Sequence, residues 1–471
     1  MIWRHLGFSQ DIFFVDPLKP IAEDIELFVG REDLIKKYII DTLSSSRSLK
    51  IVTGDIGVGK TTFVNACQYY SYIGKNPISE SFEMPKLLPC YEKIQVRETD
   101  TINEFYQQVL TSIAQSITIH CRSNDIEAPK EVRDLLSFFL DLYIPVGGGG
   151  ISGGLTIGGF GGQLSKMDES RKTNLLRNAR VHLQNLIELA INVIKLNGVF
   201  VIVNNLDILS RKKVIELFNE TRDELLNIQG IFWTFIGSKG LGSVIECEVK
   251  RVADYMSGTE IEVPPMSYQE IQDMISARVR KYRIRESNRC PLEKETLSAI
   301  FKLSMREARE TLRICGEIVK RVILINPSLQ IIPHENALSA FFQYAYDTAC
   351  NLELTEQNVR VLSAVYEQKH CRPRDYELFK YKSSQAFISA LRGLVNKKLL
   401  TIEVRGRARI YRPTGMTVVA AVSGNLGKEI QSMALKSITA DLAGTEQSDN
   451  DLQNAQLHLD IDDYDEENGS L

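Results

Sequence analysis

The segment Gly54-Asp55-Ile56-Gly57-Val58-Gly59-Lys60-Thr61 constrains this chain more than any other stretch of its 471 residues. It has the form GxxxxGKT, with the β-rich run Leu49 to Thr53 before it and a helical pattern continuing through Thr62 after it. That order of strand, glycine loop and helix is what a phosphate cradle requires. The glycines let backbone N–H groups turn inward around phosphate oxygens, and the following helix offers its positive end. Lys60 can then reach the β and γ oxygens, while the Thr61 hydroxyl can ligate Mg²⁺. The segment therefore calls for ATP with Mg²⁺, held by residues 54 to 62.

A strand feeding a helix also sets the fold class. From about residue 28 to 264, short β-rich runs alternate with longer helical patterns, which predicts an α/β domain with a mainly parallel sheet. The expected strands are Leu49 to Thr53, Tyr91 to Val96, Val199 to Val203, Phe232 to Ile236 and Glu260 to Val263. Helical patterns cover Thr101 to Ile119, Glu131 to Leu142 and Asn174 to Leu196. After Pro264-Pro265 the strands stop, and Ser267 to Tyr282 then Lys294 to Ile323 read as helices. The expected organisation is an N-terminal extension (1–27), a P-loop core (28–264), a helical subdomain (265–350), a third unit (354–413) and a polar acidic tail (440–471).

The acidic strand that accompanies a phosphate loop should be an apolar run ending in Asp. The best match, Val199 to Val203, runs instead into Asn204-Asn205-Leu206-Asp207. An amide at 204 can hydrogen-bond a metal-bound water, but it cannot offset charge or act as a base. Asp207 is the nearest carboxylate, fit either to orient a water or metal or to cap the next helix. Nucleotide binding is thus expected more firmly than hydrolysis.

Taken together these residues resemble an AAA+ or related STAND-type P-loop ATPase, nearest to the origin-recognition and replication-initiator clade. The resemblance covers about residues 28 to 413 and implies a parallel five-stranded sheet, a helical lid and a C-terminal winged helix. Val29, Gly30 and Arg31, in Phe28-Val-Gly-Arg-Glu32, are similar to the segment that packs on adenine in that clade. By the same resemblance Ser238 falls where the fourth strand senses the γ-phosphate. Arg251 falls where a finger reaches a neighbouring subunit. Arg306, in Leu303-Ser-Met-Arg-Glu-Ala-Arg309, falls on the lid's sensor helix. Lys60 and Asn204 are 144 residues apart, longer than in compact members, which implies an inserted segment over about 97–198. Within it Gly147 to Gly162 holds ten glycines in sixteen residues, either a flexible loop or one that orders on a protein partner.

The formal charge of −4 conceals an asymmetry. Residues 441–471 carry ten Asp or Glu and no Lys or Arg, leaving 56 basic and 50 acidic residues elsewhere. The basic excess concentrates in residues 355–412, with thirteen Lys or Arg against five Asp or Glu. There the pattern reads as helices Thr355 to Gln368, Arg374 to Tyr381 and Ser384 to Lys397, then a hairpin turning at Gly406-Arg407. In a winged helix the third helix enters the major groove and the wing touches phosphate, so Ser384, Gln385, Arg405, Arg407 and Arg409 are the expected contacts to double-stranded DNA. The eight cysteines show no ligand spacing, and no run is long enough for a signal peptide or membrane span, so a cytoplasmic location is expected. The combined expectation is an ATP-controlled switch that assembles as a homo-oligomer or within a hetero-assembly and engages DNA. The alternative is a STAND-like signalling scaffold using the winged helix for protein contacts.

Overall fold

The computed structural model describes residues 2–43, 48–75, 77, 84–141, 178–405 and 408–442. The glycine-rich run 147–162, the hairpin turn 406–407 and the tail beyond 442 lie outside the described residues. A parallel sheet forms the centre, from β1 (Ser48–Thr53), β2 (Leu87–Pro89), β3 (Ile94–Gln95), β4 (Gly198–Asn204), β5 (Ile231–Ile236) and β6 (Ile261–Glu262). Its order is β2-β4-β5-β1-β6, with β3 extending the pairing along β4. The strand that leads into the phosphate loop therefore lies inside the sheet, between β5 and β6. This is the α/β P-loop arrangement expected, with six strands in place of five.

The apolar runs are continuous because both faces of the sheet are covered. Side chains alternate along each strand, so Val199, Val201 and Val203 enter one core with Trp233 and Phe235. Phe200 and Ile202 enter another with Val52, Phe63 and Ile236. Each such fully buried side chain contributes roughly 1.5–3 kcal/mol of apolar burial.

The helix Ile102–Ser123 falls in the stretch expected as an insertion, yet it covers the sheet. Its Phe105, Val109, Ile113 and Ile117 are buried in the same core as β4. Thr101 and Glu104 close a reciprocal capping box at its start. The Ala179–Asn192 helix adds Leu183, Leu186 and Ile187 to that core. What extends the spacing from Lys60 to Asn204 is thus partly structural cover for the sheet.

Two expected elements differ in form. The run 91–96 yields only the two-residue β3, while the pairing with the start of β4 is made by β2, which lies outside the expected strands. Pro89 in β2 is tolerated because β2 lies at an edge of the sheet. The helix expected over 374–381 is a 3-10 turn, Pro373–Glu377, whose start is fixed by the Arg372 N–H donating to Asp375 Oδ2 at 2.6 Å. Lys380 has φ 58°, so the chain leaves helical geometry before Tyr381.

Beyond the sheet, the helices Tyr268–Tyr282, Lys294–Leu303, Ala308–Ile325 and His334–Cys350 build the helical subdomain. It does not have a core of its own. Leu6, Phe8, Ile12 and Phe13 pack into it from the N-terminus, and Val361, Leu391, Tyr411 and Val419 pack into it from the C-terminal region. That region comprises helices Glu356–Gln368 and Ser384–Asn396, the antiparallel pair β7 (Leu400–Arg405) and β8 (Ala408–Pro413), and helices Gly415–Val422 and Lys428–Leu442. No helix among the described residues is long and apolar enough to cross a membrane.

Candidate functional site

The loop after β1 delivers its three glycines into a backbone form that other residues enter only under strain. Gly57 has φ 83° and Gly59 φ 93°, and Gly59 is the residue from which the helix Lys60–Ile73 starts. A side chain at Gly57 would also press on Arg309, whose Cβ lies 3.4 Å from the position a Cβ would take. Loop and helical subdomain are therefore in close contact over the phosphate position.

A cleft of about 400 Å³ opens there. Of the expected residues, Asp55, Ile56, Gly57, Val58, Gly59, Lys60, Thr61 and Thr62 line it, together with Val29, Arg31, Asn204 and Asp207. Lys60 is 9% exposed. Its Nζ donates to the carbonyls of Gly54 at 2.9 Å and Asp55 at 3.0 Å, and lies 3.9 Å from Asp207 Oδ2. Burial lowers the Lys60 pKa, and the Asp207 and Asp55 carboxylates oppose that shift. Asp207 is not a helix cap: it sits in the 3-10 turn Leu206–Ile208, and the next helix is capped by Ser210, which accepts from the Lys213 N–H. Asn205, at φ 66°, makes the left-handed turn that swings Asp207 back to the loop.

Arg31 belongs to the loop as much as to the cleft. Its Nη2 donates to Val58 O at 2.6 Å and Pro264 O at 3.1 Å, so one guanidinium joins the phosphate loop to the start of the helical subdomain. Gly30, beside it, lies outside the lining, and its φ of 72° sets the turn.

Ser238, Arg251 and Arg306 also lie outside the lining. The chain turns away after β5, and the residue it sends toward the loop is Lys239, 3.2 Å from Asp55 and 2.9 Å from Glu262. Burial works against the Lys239 charge, but Glu262 and Asp55 outweigh it and raise its pKa. Arg251 is exposed on the short helix Lys250–Ala253. Arg306 has φ 61° in the turn before the helix Ala308–Ile325, so it precedes the helix, while Arg309, in the first turn, lines the cleft. Glu307, between them, is held by burial, then by Glu310 and Asp55, at a pKa of about 7.

The side of the cleft away from the phosphate loop is apolar, and much of it comes from a segment expected as a mere extension. Val15, Pro17 and Leu18 line it with Leu27 and Phe28, opposite Met266, Met274 and Leu312. Arg278, buried to 4% exposure, donates to Phe14 O at 2.7 Å and lies over the Phe14 ring at 3.9 Å. Burial pulls its pKa down to about 10. Asn65 donates to Leu18 O at 2.6 Å from the other side. The segment 12–18 is thus fastened both to the helical subdomain and to the phosphate-loop helix. The apolar residues Ile12, Phe13, Phe14, Val15 and Leu18 were the signal in the sequence.

In the C-terminal region the Ser384 hydroxyl donates to Pro373 O at 3.2 Å, and Gln385 is exposed. Arg405 ends β7, Arg409 lies beside Tyr411, and Arg407 falls outside the described residues. All eight cysteines are free, and among the described residues no group of three or more His, Cys, Asp or Glu could hold a metal alone.

The sequence matches no protein-family model and no curated protein. The chain is similar to solved structures at low identity. They include the Aeropyrum pernix ORC2 protein in ADPNP–ADP complexes, at 13% identity and TM-score 0.44, covering 91% of this chain and 99% of that one. The Aeropyrum pernix ORC1 protein in complex with DNA is 13% identical, with TM-score 0.42 over 88% of this chain and 96% of that one. Drosophila ORC bound to DNA is 11% identical, with TM-score 0.39 over 90% of each chain.

Proposed function

We propose that the protein is an ATP-binding molecular switch of the AAA+ kind, in which the nucleotide state sets self-assembly and the engagement of duplex DNA by a C-terminal winged helix. The observation that carries the coupling is at the start of the helix Ala308–Ile325. Arg309 faces the phosphate loop, and the next residue, Glu310, meets Gly415, where a Cβ would lie 2.9 Å from Glu310 Cγ. Arg313, paired with Glu310, reaches Met416 Sδ at 3.2 Å. Gly415 and Met416 follow β8, the second strand of the basic hairpin, after Thr414. A lid movement drawn by phosphate therefore carries the hairpin with it, because lid and C-terminal region share one core.

ATP would place its base against the apolar wall of Val15, Leu27, Phe28 and Met274, and its phosphates on the loop and Lys60. The donors fit a Mg²⁺ held chiefly by phosphate and water, since Mg²⁺ takes few protein oxygens. Thr61 and Asp207 would supply them, with the Asn204 amide oxygen uncharged beside them. The ion would neutralise charge between the β and γ oxygens. Arg251, exposed on the surface, remains the residue proposed to meet a neighbouring subunit.

Within the lid, Arg309 is assigned the phosphate-sensing role in preference to Arg306. Arg309→Ala is expected to weaken ATP binding by about 10- to 100-fold, the range of one charge-assisted hydrogen bond. Arg306→Ala should leave it within about twofold. Fluorescent-nucleotide titration ranks the two, and the reverse ranking would return the role to Arg306. Assembly is tested by light scattering, in which a non-hydrolysable ATP analogue raises the mass above the monomer and ADP does not. Equal masses in both nucleotides would remove assembly from the proposal.

A further inference from the structure

We propose that Lys93 is a terminal-phosphate contact, a residue by which the cleft distinguishes a nucleoside triphosphate from a diphosphate. The assignment rests on the nucleotide reading above. β3 pairs with β4 so that Ile94 stands opposite Val203 and Gln95 opposite Asn204. Ile94 is 2% exposed and packs with Val201 and Val203 on the face covered by the Ile102–Ser123 helix. Because strand side chains alternate, Gln95 is turned to the opposite face, where the Lys60 helix begins, and Lys93 directly precedes the strand. Both line the cleft alongside Thr61, Asn204 and Asp207.

Lys93 and Lys60 differ in what surrounds their charge. Lys60 has Asp207 at 3.9 Å and two loop carbonyls as acceptors. No ion pair or hydrogen bond engages the Lys93 ammonium among the described residues, and its chain neighbour Glu92 acts on it only through space. Burial pulls its pKa down to about 8, with Glu92 opposing, so the amine stays largely protonated near neutral pH. A partly buried cation without a partner is costly, and an arriving anion relieves that cost. Aspartate at position 204, the usual residue at a strand end of this kind, would stand on the neighbouring strand and compete for the charge. The neutral Asn204 leaves it for the ligand.

The position selects which phosphate. Ligands of parallel α/β sheets bind outside the carboxyl ends of the strands, and Lys93, directly before β3, lines the cleft with Asn204, Asn205 and Asp207 at the carboxyl end of β4. The inner phosphates are held by loop amides, so the last phosphate of a triphosphate is the one Lys93 meets.

The test compares binding of a non-hydrolysable ATP analogue and of ADP to the full chain by calorimetry, for wild type, Lys93→Met and Lys93→Arg. Lys93→Met is expected to weaken the triphosphate by about 10- to 100-fold while ADP stays within about twofold, and Lys93→Arg to keep most of the preference. Retained ADP binding shows that the variant is folded; if Lys93→Met unfolds, Lys93→Gln carries the same comparison. An unchanged triphosphate affinity, or an equal loss for both nucleotides in a folded variant, overturns the role of Lys93 alone. A wild-type protein that binds neither nucleotide overturns the nucleotide reading itself.

Discussion

Lys60→Ala is expected to lower ATP affinity by on the order of 10²- to 10³-fold while leaving the unliganded fold intact. The two parts of this expectation have different causes. Lys60 offers the ammonium closest to the loop, and the loss of two charge-assisted hydrogen bonds to phosphate costs about 3–4 kcal/mol. Its own environment gains little from it, because burial already lowers its pKa, and the carbonyls of Gly54 and Asp55 that accept from it border the cleft. The readout is thermal unfolding with and without ATP. A ligand at about a hundred times its Kd stabilises by about 2.7 kcal/mol, so wild type should show an upward shift and the variant almost none, from similar starting temperatures. A variant that keeps the full ATP-induced shift would sink the phosphate-loop assignment.

The parts legible in the sequence are those where local chemistry and tertiary contact agree. The loop at 54–61 needs glycine for its backbone, Lys60 for its charge and a flanking strand and helix, all adjacent in the chain. The central strand β4 is a continuous apolar run, and β5 is interrupted only by Thr234, because both of their faces are covered. What escaped depends on residues far apart. Val15 and Leu18 line the cleft because Arg278 and Asn65, some 260 and 47 positions away, fasten their backbone there. Arg309 lines the cleft and Arg306 does not because the helix begins at Ala308, after a turn with Met305 and Arg306 at positive φ, a boundary that spacing alone does not reveal. Lys93 was hidden in a strand expected to be six residues long. Only the pairing of Gln95 with Asn204 places it at the cleft.

The triple change Arg405→Ala, Arg407→Ala and Arg409→Ala is expected to flatten the salt dependence of DNA binding. Each phosphate contact contributes nearly one unit to the slope of log affinity against log salt, so losing all three should reduce that slope by about 3. The loss should be nearly uniform across duplex sequences, because phosphate contacts position the protein and carry no base information. Gln385→Ala, on the exposed start of the Ser384–Asn396 helix, should instead alter sequence preference with little change in slope. The charge of residues 355–412 underlies both expectations, and a shallow slope already in wild type would favour protein contacts for this region.

We propose that the nucleotide cleft and the basic C-terminal region act as one switch, coupled through the helix that carries Arg309 on one side and Glu310 and Arg313 on the other. Duplex-DNA affinity of the full chain, titrated against salt once with a non-hydrolysable ATP analogue and once with ADP, tests it most directly. Lid closure with assembly multiplies simultaneous contacts, so the triphosphate state is predicted to bind at least about tenfold tighter, with the steeper salt slope. Identical affinity and slope in the two nucleotides, or no affinity at low salt in either, would contradict it.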